Sequence, residues 1–188
     1  MVSRILNESA RSPYDADLML VDRFLAGDES AFTRIYEDYY PRVFALARGI
    51  LIDSDETEDA VQEVFTQIYR NLVRFDRRSK LSTWIFRITV NRTIQYGRTL
   101  KFKRRQVELE QAAHQAAPDA ALSIADPRIA SAMRKLVASD RAVLTLYYWQ
   151  ELSLAEIGQS LGCNENAAKT RLFRARDRFK KLYEAELG

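Results

Sequence analysis

The sequence predicts an all-α protein, with two helical domains joined by a flexible linker. Apolar residues recur at three- and four-residue spacing in two separate stretches, which is the period of a helix with one buried face. Glycine and proline are scarce, at 6 and 4 of 188 residues, and this disfavours a turn-rich sheet protein. No stretch shows the alternation of apolar and polar residues that is typical of a strand.

Shifts in this pattern divide the chain into four parts. Residues 1–16 lack the helical period and are expected to form a loose leader. The period runs through 17–105, where four helices are predicted. From 106 to 127 the chain is rich in Ala and Gln and has no sustained apolar stripe, which indicates a linker. Helical spacing returns over 128–188, the second predicted domain.

Each of the four helices in the first domain has its own apolar stripe. Hydroxyl side chains accept hydrogen bonds from free backbone N–H groups, so Ser30 is predicted to cap the second helix and Ser82 or Thr83 the fourth. Gly97 is expected to weaken the fourth helix near its end. The stripes consist of Leu18, Val21 and Leu25; Phe32, Ile35, Tyr36, Tyr39, Val43, Leu46, Ala47 and Ile50; Ala60, Val61, Val64, Phe65, Ile68 and Leu72; and Trp84, Ile85, Ile88 and Ile94.

The second domain contains a pattern typical of a helix-turn-helix. Ser153 and Glu156 have the spacing of a capping box, in which each side chain bonds the other's backbone N–H. Gly162 is placed to end this short helix, and Asn164 to cap the next one. Ala155 is expected to face inward on the short helix. Two helices joined by a short turn with glycine make up the DNA-binding motif.

The second helix of this motif is strongly basic. Seven cations and one acid fall within 169–181, whereas the whole chain has a net charge of only +3. Long cationic side chains reach phosphates, and arginine can also pair with guanine edges in the major groove. The alternative is that these residues form only a solvated face of an ordinary helix pair.

A second basic stretch lies in the first domain. Ten cations and no acid occur over 77–107, and aromatic and amide residues are interleaved with them. Cations neutralise a phosphate backbone and exposed rings stack on unpaired bases, so the stretch suits melted or single-stranded nucleic acid. For Trp84 a place in the core is an equally good interpretation, and Asn91 fits a buried, hydrogen-bonded position.

An acidic segment precedes this basic stretch. Asp59, Gln62 and Glu63 share one face of the third predicted helix by three-and-four spacing. Acids near a helix N-terminus stabilise the helix by themselves, which is the simpler explanation. A protein-binding face is the functional alternative.

Taken together, these motifs resemble the extracytoplasmic-function (ECF) sigma factors of the sigma-70 family. The similarity to their region 2 lies in 59–65 (DAVQEVF), 75–76 (FD), 82–88 (STWIFRI) and 91–92 (NR). The similarity to region 4, a helix-turn-helix, lies in 147–176, with LSLAEIG and KTRLFRAR as its clearest segments. Two motif sets in the family's order are more specific than either one alone.

The resemblance implies a sigma factor that binds core RNA polymerase, recognises the −10 and −35 promoter elements and promotes DNA melting. It also implies regulation by an anti-sigma factor. The implied contacts to the −10 element, with an unpaired base captured nearby, are Lys80, Ser82, Thr83, Trp84, Arg87, Asn91, Arg92 and Gln95. Those to the −35 element are Asn166, Lys169, Thr170, Arg171 and Arg174. Those to polymerase are Asp59, Gln62 and Glu63.

The chain departs from the family's usual pattern at three places. Ser139-Asp140 stand where Leu-Pro is common, Asn166 begins a turn that often reads Gly-Thr-Val, and the usual aspartate near Gln95 is absent. Amide side chains favour adenine edges, so Asn166 and Gln95 are expected to influence which promoter sequence is preferred.

Two other classes of function compete with this interpretation. A repressor with a helical ligand or dimer domain explains 153–176 but leaves the basic stretch 77–107 without a role. An enzyme of nucleic-acid metabolism lacks support, because the sequence has no glycine-rich phosphate loop and no catalytic Ser/His/Asp set. One cysteine and one histidine are too few for an ordinary zinc site, so no metal or cofactor is expected. Without a signal peptide or membrane span in the sequence, a cytoplasmic protein is expected.

Overall fold

The structure is a computed structural model that describes residues 13–52, 55–110 and 126–186. Within these ranges all regular elements are helical, which confirms the predicted fold class. None of the described helices is long and apolar enough to cross a bilayer. The elements are α1 (Pro13–Leu25), α2 (Glu29–Leu51), α3 (Asp55–Asn71), a 3₁₀ turn (Leu72–Arg74), α4 (Leu81–Glu110), α5 (Pro127–Lys135), α6 (Ala138–Tyr148), α7 (Leu154–Ser160) and α8 (Glu165–Glu184).

Three helix ends differ from those expected. The first helix α1 begins at Pro13, inside the predicted leader, and α4 runs on to Glu110, inside the predicted linker. Gly97 lies within α4, which continues beyond it to Glu110. The helix α5 begins one residue early, with proline at its first position and the Asp126 carboxylate accepting a hydrogen bond at its N-terminus. The rest of the leader (1–12) and of the linker (111–125) lies outside the described residues, and the domain limits stay a prediction.

Two of the predicted helix caps are wrong. The Asp28 carboxylate, and not Ser30, caps α2 by accepting a hydrogen bond from the Ser30 backbone N–H at 3.1 Å. Ser82 and Thr83 do not cap α4, because this helix already begins at Leu81 and includes both residues in its first turn. In each case the helix starts earlier than the hydroxyl residue that the local sequence favoured.

The first block consists of α1 to α4, with α2 at its centre. The helix α2 packs against α1, α3 and α4, and its predicted stripe is confirmed at Ile35, Val43 and Leu46, which are fully buried. Because α2 is surrounded, α3 and α4 lie side by side with one long face of each turned to solvent. These two outer faces contain most of the polar residues of the first block to which the sequence assigned a role.

The second block consists of α5 to α8 and contains the predicted helix-turn-helix, which is confirmed. The capping box is present: Ser153 N–H donates to the Glu156 carboxylate at 3.0 Å, and Glu156 N–H to the Ser153 hydroxyl at 3.3 Å. Gly162 takes the left-handed conformation (φ +64) after α7, and the Asn164 side chain caps α8. Ala155 is exposed rather than inward, because the buried face of α7 lies on its other side.

The two blocks pack directly on each other, and their apolar residues form one continuous core. Along the contact between α2 and α6, the buried Arg141 side chain donates from Nε to the backbone oxygen of Ile50 at 2.6 Å. A second polar contact joins Arg42 Nε to Gln150 Oε1 at 3.1 Å. The second block is therefore fixed to the C-terminal half of α2.

The blocks also meet where α7 lies across the start of α4. Lys80 Nζ forms an ion pair with Glu156 Oε1 at 2.7 Å. Beside it, the Ser160 hydroxyl donates to the backbone oxygen of Thr83 at 3.5 Å. The same Glu156 carboxylate therefore serves the capping box of α7 and the contact between blocks.

Gly49 tests how closely α2 and α6 must approach. A Cβ atom at Gly49 would lie 2.6 Å from Oγ1 and 2.8 Å from Cγ2 of Thr145, which is buried. We expect Gly49→Ala to lower the free energy of unfolding by about 1–3 kcal/mol through overpacking, in spite of the better helix propensity of alanine. Urea unfolding followed by circular dichroism measures this change.

Gly97→Ala provides the matched control for this substitution. Its new Cβ would meet only the terminal Cδ2 of Leu51 at 3.0 Å, and that side chain can rotate away. We expect this variant to be neutral or slightly stabilised. Equal losses in both variants would contradict the close approach of α2 and α6.

The Glu156 ion pair predicts a pH dependence of stability. Its hydrogen bond with Lys80, aided by Ser153, lowers the pKa of Glu156 from 4.5 to about 2. A carboxyl group with a depressed folded-state pKa stabilises the fold above its unfolded pKa and loses this contribution as the pH falls toward the folded pKa. Stability should therefore drop between about pH 4.5 and pH 2. We expect Glu156→Gln, which can still complete the capping box, to show a smaller drop in acid unfolding curves.

A side-chain NMR titration of Glu156 measures the pKa directly. In Lys80→Met this pKa should rise toward its ordinary value. A pKa that does not move would show that the ion pair is absent in solution.

Candidate nucleic-acid interface

The N-terminal half of α8 presents the predicted recognition residues to solvent. Asn166, Lys169, Thr170, Arg171 and Arg174 are all exposed. The opposite side of α8 buries Ala168, Leu172 and Ala175 against the rest of the block. This arrangement leaves one polar and basic helix face free along its length, as docking into a major groove requires.

Ion pairs divide the seven cations of α8 into two groups. Toward the C-terminus, Arg178 pairs with Asp140 at 2.6 Å, Lys181 with Asp177 at 2.8 Å, and Lys180 with Glu184 at 3.7 Å. These cations are engaged within the protein. The other four cations have no carboxylate partner among the described residues: Lys169, Arg171, Arg174 and Arg176.

Aromatic residues border this basic face. The Arg176 guanidinium lies over the ring of Tyr147 at 4.6 Å and also near Tyr148, so it is held by cation–π contacts. Phe173 is 72% exposed between the cations, which is unusual for so large an apolar side chain. Phe173 was not among the residues predicted to contact DNA, although its position directly after Leu172 of the buried stripe places it off that stripe.

A groove between α3 and α4 collects most of the residues expected to contact the −10 element. Its volume is about 440 Å³. Five of the eight residues expected to bind the −10 element line it, since they share one face of α4: Trp84, Arg87, Asn91, Arg92 and Gln95. Ile88 of α4 also lines it, and three further lining residues from the end of α3 and the following turn were missed: Gln67, Asn71 and Arg74. Their spacing of three and four was the signal that could have found them.

Trp84 belongs both to the core and to the groove. Its ring packs against that of the buried Phe75, with centroids 5.4 Å apart, and the residue is half-buried. The remaining part of the side chain lines the groove. The two interpretations of the sequence are therefore compatible, and the contact with Phe75 holds the indole in place.

The other three expected contacts lie away from the groove. Thr83 is 1% exposed beneath α7, so it is covered in this arrangement, and its expected contact with DNA stays a prediction. Its burial follows from the packing of Ser160 against it, which no local pattern indicates. Ser82 is half-buried, and Lys80 is exposed but paired with Glu156.

The acidic face lies on the other side of α3 from α2. Asp59, Gln62 and Glu63 are exposed and line a shallow concavity of about 430 Å³ together with Arg70. Tyr96 of α4 forms its edge. The Tyr96 hydroxyl donates to Glu56 Oε2 at 3.0 Å, and burial together with this carboxylate raises the pKa of Tyr96 to about 12. Helix α3 thus separates an acidic face from a basic groove.

Comparisons with known proteins agree with both blocks. The family model for sigma-70 region 2 matches residues 35–103, and the model for sigma-70 region 4 matches residues 127–179. The ECF RNA polymerase sigma factor SigW of Bacillus subtilis is 32% identical over 169 residues, which cover 82% of this chain and 90% of SigW. The ECF RNA polymerase sigma-E factor of Escherichia coli K12 is 28% identical, with 86% and 91% covered.

A solved structure supports the same assignment. The structure of CnrH in complex with the cytosolic domain of CnrY superimposes with a TM-score of 0.68 at 27% identity, and covers 91% of this chain and 99% of CnrH. The alignment with SigW covers nearly the whole length of that protein. The region 2 model matches the first block and the region 4 model matches the second. The chain therefore belongs to the extracytoplasmic-function sigma factors of the sigma-70 family.

Proposed function

We propose that this chain is the promoter-recognition subunit of a bacterial RNA polymerase, which binds core polymerase, recognises −10 and −35 elements and promotes DNA melting. The observation that carries the proposal is the presence of two separate cationic surfaces with different chemistry. The face of α8 is a convex helix that fits duplex DNA, whereas the groove between α3 and α4 combines an indole with amides and cations. A repressor needs only the first of these surfaces.

The α8 face is proposed to read the −35 element as a duplex. Lys169 and Arg174 would contact phosphates and fix the helix in the groove, since such contacts position a protein without reading sequence. Arg171 would read a base edge, because a guanidinium can donate two hydrogen bonds to guanine. The Thr170 hydroxyl already donates to the Asn166 backbone oxygen at 3.0 Å, which leaves its methyl group and oxygen for base contacts.

The groove is proposed to hold an unpaired base of the −10 element. Capturing a base requires an aromatic or apolar surface for stacking, together with polar groups that meet its edge. Trp84 offers the ring, Asn91 and Gln95 offer amides, and Arg87 and Arg92 lie close enough to neutralise flanking phosphates. Binding of the unpaired form favours melting, because it removes that form from the equilibrium with duplex.

Lys80, Ser82 and Thr83 are proposed to act only after α7 moves away from α4. In the packed arrangement Lys80 is paired with Glu156 and Thr83 is buried. A DNA phosphate can replace the Glu156 carboxylate as the partner of Lys80, since both are anions. Binding of promoter DNA would then weaken the contact between blocks.

The acidic face of α3 is proposed to bind core polymerase through Asp59, Gln62 and Glu63. All three are exposed, and the negative charges of Asp59 and Glu63 would keep DNA on the opposite, basic side of α3. An anti-sigma factor is a further proposed partner. Two solved structures that resemble this chain are complexes, one of CnrH with the cytosolic domain of CnrY and one of RpoE with the anti-sigma factor NepR. We propose that the chain itself has no catalytic role. We also propose that it acts in the cytoplasm, beside polymerase.

Run-off transcription with purified core polymerase and a promoter library tests the proposal as a whole. The chain should direct initiation at a defined set of promoters that core polymerase alone does not use. Mapping of transcript starts identifies these promoters. Tight binding of duplex DNA without any added initiation would favour the repressor interpretation instead.

Reversing one charge on the acidic face should weaken polymerase binding. Glu63→Lys places a cation where we expect a basic partner surface, so the affinity for core polymerase in a pull-down or anisotropy titration should fall by at least about tenfold, or ~1.4 kcal/mol. Glu37→Lys makes the same charge change at an exposed site on α2, where the native side chain pairs with Arg34 of the same helix, and should bind as the unaltered chain does. Unchanged affinity in both variants would remove Glu63 from the interface.

A substitution on α8 should relax recognition of one base pair. We expect Arg171→Ala to cost ~1–3 kcal/mol in binding of the upstream element by holoenzyme and to abolish the preference at a single position. Lys180→Ala is the control on the same helix, since Lys180 is paired with Glu184 near the other end. A uniform loss across all sequences would instead make Arg171 a phosphate contact.

A further inference from the structure

We propose that the junction of the two blocks binds a small organic carboxylate, and that the bound anion holds the blocks together. The site is a cavity of about 110 Å³, lined by residues of α2, α3, α4 and α6. It shares no lining residue with the groove between α3 and α4, and none of its residues has a role in the proposed function. Binding of the anion therefore does not depend on that function.

A buried hydroxyl group in this cavity lacks a partner. Thr93 of α4 is 0% exposed and lines the cavity, yet its Oγ1 forms no hydrogen bond within the described residues. Thr89, one turn earlier, is equally buried, but its Oγ1 donates to the Ile85 backbone oxygen at 2.9 Å. Because an unpaired buried hydroxyl is unfavourable, Thr93 favours a ligand that accepts a hydrogen bond from it.

The start of α6 contributes donors from the second block. Ala138, the first residue of α6, lines the cavity, and no side chain caps this helix at its N-cap residue Val137. The first N–H groups of a helix attract anions, because they have no carbonyl partner within the helix. The buried Arg141 also lines the cavity. Its Nε and Nη1 donate to the backbone oxygens of Ile50 and Leu136, whereas its Nη2 donates no hydrogen bond within the described residues.

Two further cations lie at the open side of the cavity. Arg98 and Lys101 of α4 line it, are exposed, and have no carboxylate partner in the described part of the chain. Glu56 is the one carboxylate among the described lining residues. Asp140, in the first turn of α6, does not line the cavity and is paired with Arg178 at 2.6 Å. The net charge of the lining is therefore positive, as an anion site requires.

The remaining lining is apolar and limits the kind of anion that fits. Ile50, Ile94 and Leu100 form part of this wall. A cavity of about 150 Å³ holds benzene, so the present volume of about 110 Å³ has room for roughly five non-hydrogen atoms. Propionate has this size. Its carboxylate suits the donors and its short tail suits the apolar wall.

Because both blocks line the site, a bound carboxylate favours the packed arrangement. Thr93 belongs to the first block and Arg141 to the second, so separation of the blocks takes the site apart. A ligand that binds only one of two states shifts the population toward that state. In the packed arrangement Thr83 is covered and Lys80 is paired with Glu156, so the bound anion should oppose promoter binding.

Titration of the full chain with propionate at constant ionic strength tests the site. Methyl signals of threonine and isoleucine in NMR spectra report binding, since Thr93, Ile50 and Ile94 line the cavity. We expect a dissociation constant on the order of 1 mM, as suits so small a ligand. Propionamide, which lacks the charge, should bind at least about tenfold more weakly. Formate, which lacks the tail, should also lose about tenfold. Unmoved signals, or equal affinity for the three compounds, would overturn the assignment.

Thr93→Val removes the unpaired hydroxyl and keeps the shape of the side chain. Its affinity for propionate should fall by about tenfold, because a hydrogen bond to a charged group is lost. Thermal melting should find this variant at least as stable as the unaltered chain, since no buried hydroxyl is left unpaired. Thr89→Val is the matched control: it removes a buried hydroxyl from the same helix outside the cavity, and its affinity should stay within about twofold. Equal affinity in both variants would exclude Thr93 from the site.

Run-off transcription with a limiting amount of the chain tests the effect on packing, and this readout rests on the proposed function. Propionate at about ten times its dissociation constant should lower initiation by up to about tenfold. Thr93→Val should initiate equally well with and without propionate, which controls for direct effects on core polymerase. Unchanged initiation by a chain that binds propionate would contradict the effect on packing. The proposed function fails separately, if the chain directs no initiation in the absence of propionate.

Discussion

The burial of one arginine fixes how the two blocks of this protein fit together. Arg141 is 6% exposed, and a buried guanidinium without partners would be very unfavourable. The backbone oxygen of Leu136, in the same block, accepts one hydrogen bond from it. The C-terminus of α2 supplies a second acceptor, because the last turn of a helix has free carbonyl oxygens and the negative end of the helix dipole. Arg141 donates to the Ile50 oxygen there, and α2 must end at this point for that oxygen to be free. Its burial lowers the pKa of Arg141, yet an arginine keeps its charge at any ordinary pH.

The position of α6 on α2 determines what α7 covers. Because α6 is held against the end of α2, the short helix α7 lies over the first turn of α4. Thr83 is buried and Lys80 is paired as a consequence, while the part of α4 from Trp84 to Gln95 stays open to solvent. The helix α4 thus has a covered first turn and an accessible segment after it. The contact of α6 with the end of α2, which lies away from both, determines where the covered part ends.

Helix α3 has a comparable double role. Its acidic residues and its amides lie on different sides, and Gln67 borders both the acidic concavity and the basic groove. The exposed carboxylates of Asp59 and Glu63 therefore line the concavity, together with Arg70, whereas the groove is lined by arginines, amides and Trp84 and by no carboxylate among the described residues. Such sorting suits a protein that must present one surface to another protein and a different one to DNA.

The sequence by itself determined the helices and the local motifs of this protein. The stripe of Ile35, Val43 and Leu46, the Ser153–Glu156 capping box and the cap at Asn164 depend on residues within a few positions of one another, and periodicity and spacing report such contacts directly. Most residues expected to line the groove share one face of α4 and were found for the same reason.

Only the tertiary structure decided which of these residues are exposed and unpaired, and so accessible to a binding partner. Lys80 and Glu156 are 76 positions apart and Arg141 and Ile50 are 91 apart, and no local pattern encodes such pairs. The same holds for the burial of Thr83, and for the meeting of Gln67 and Asn71 with α4 across the groove. The physical reason is that the spacing of apolar residues in a helix determines which face is buried. Which neighbouring helix then covers a given polar residue depends on how whole helices pack.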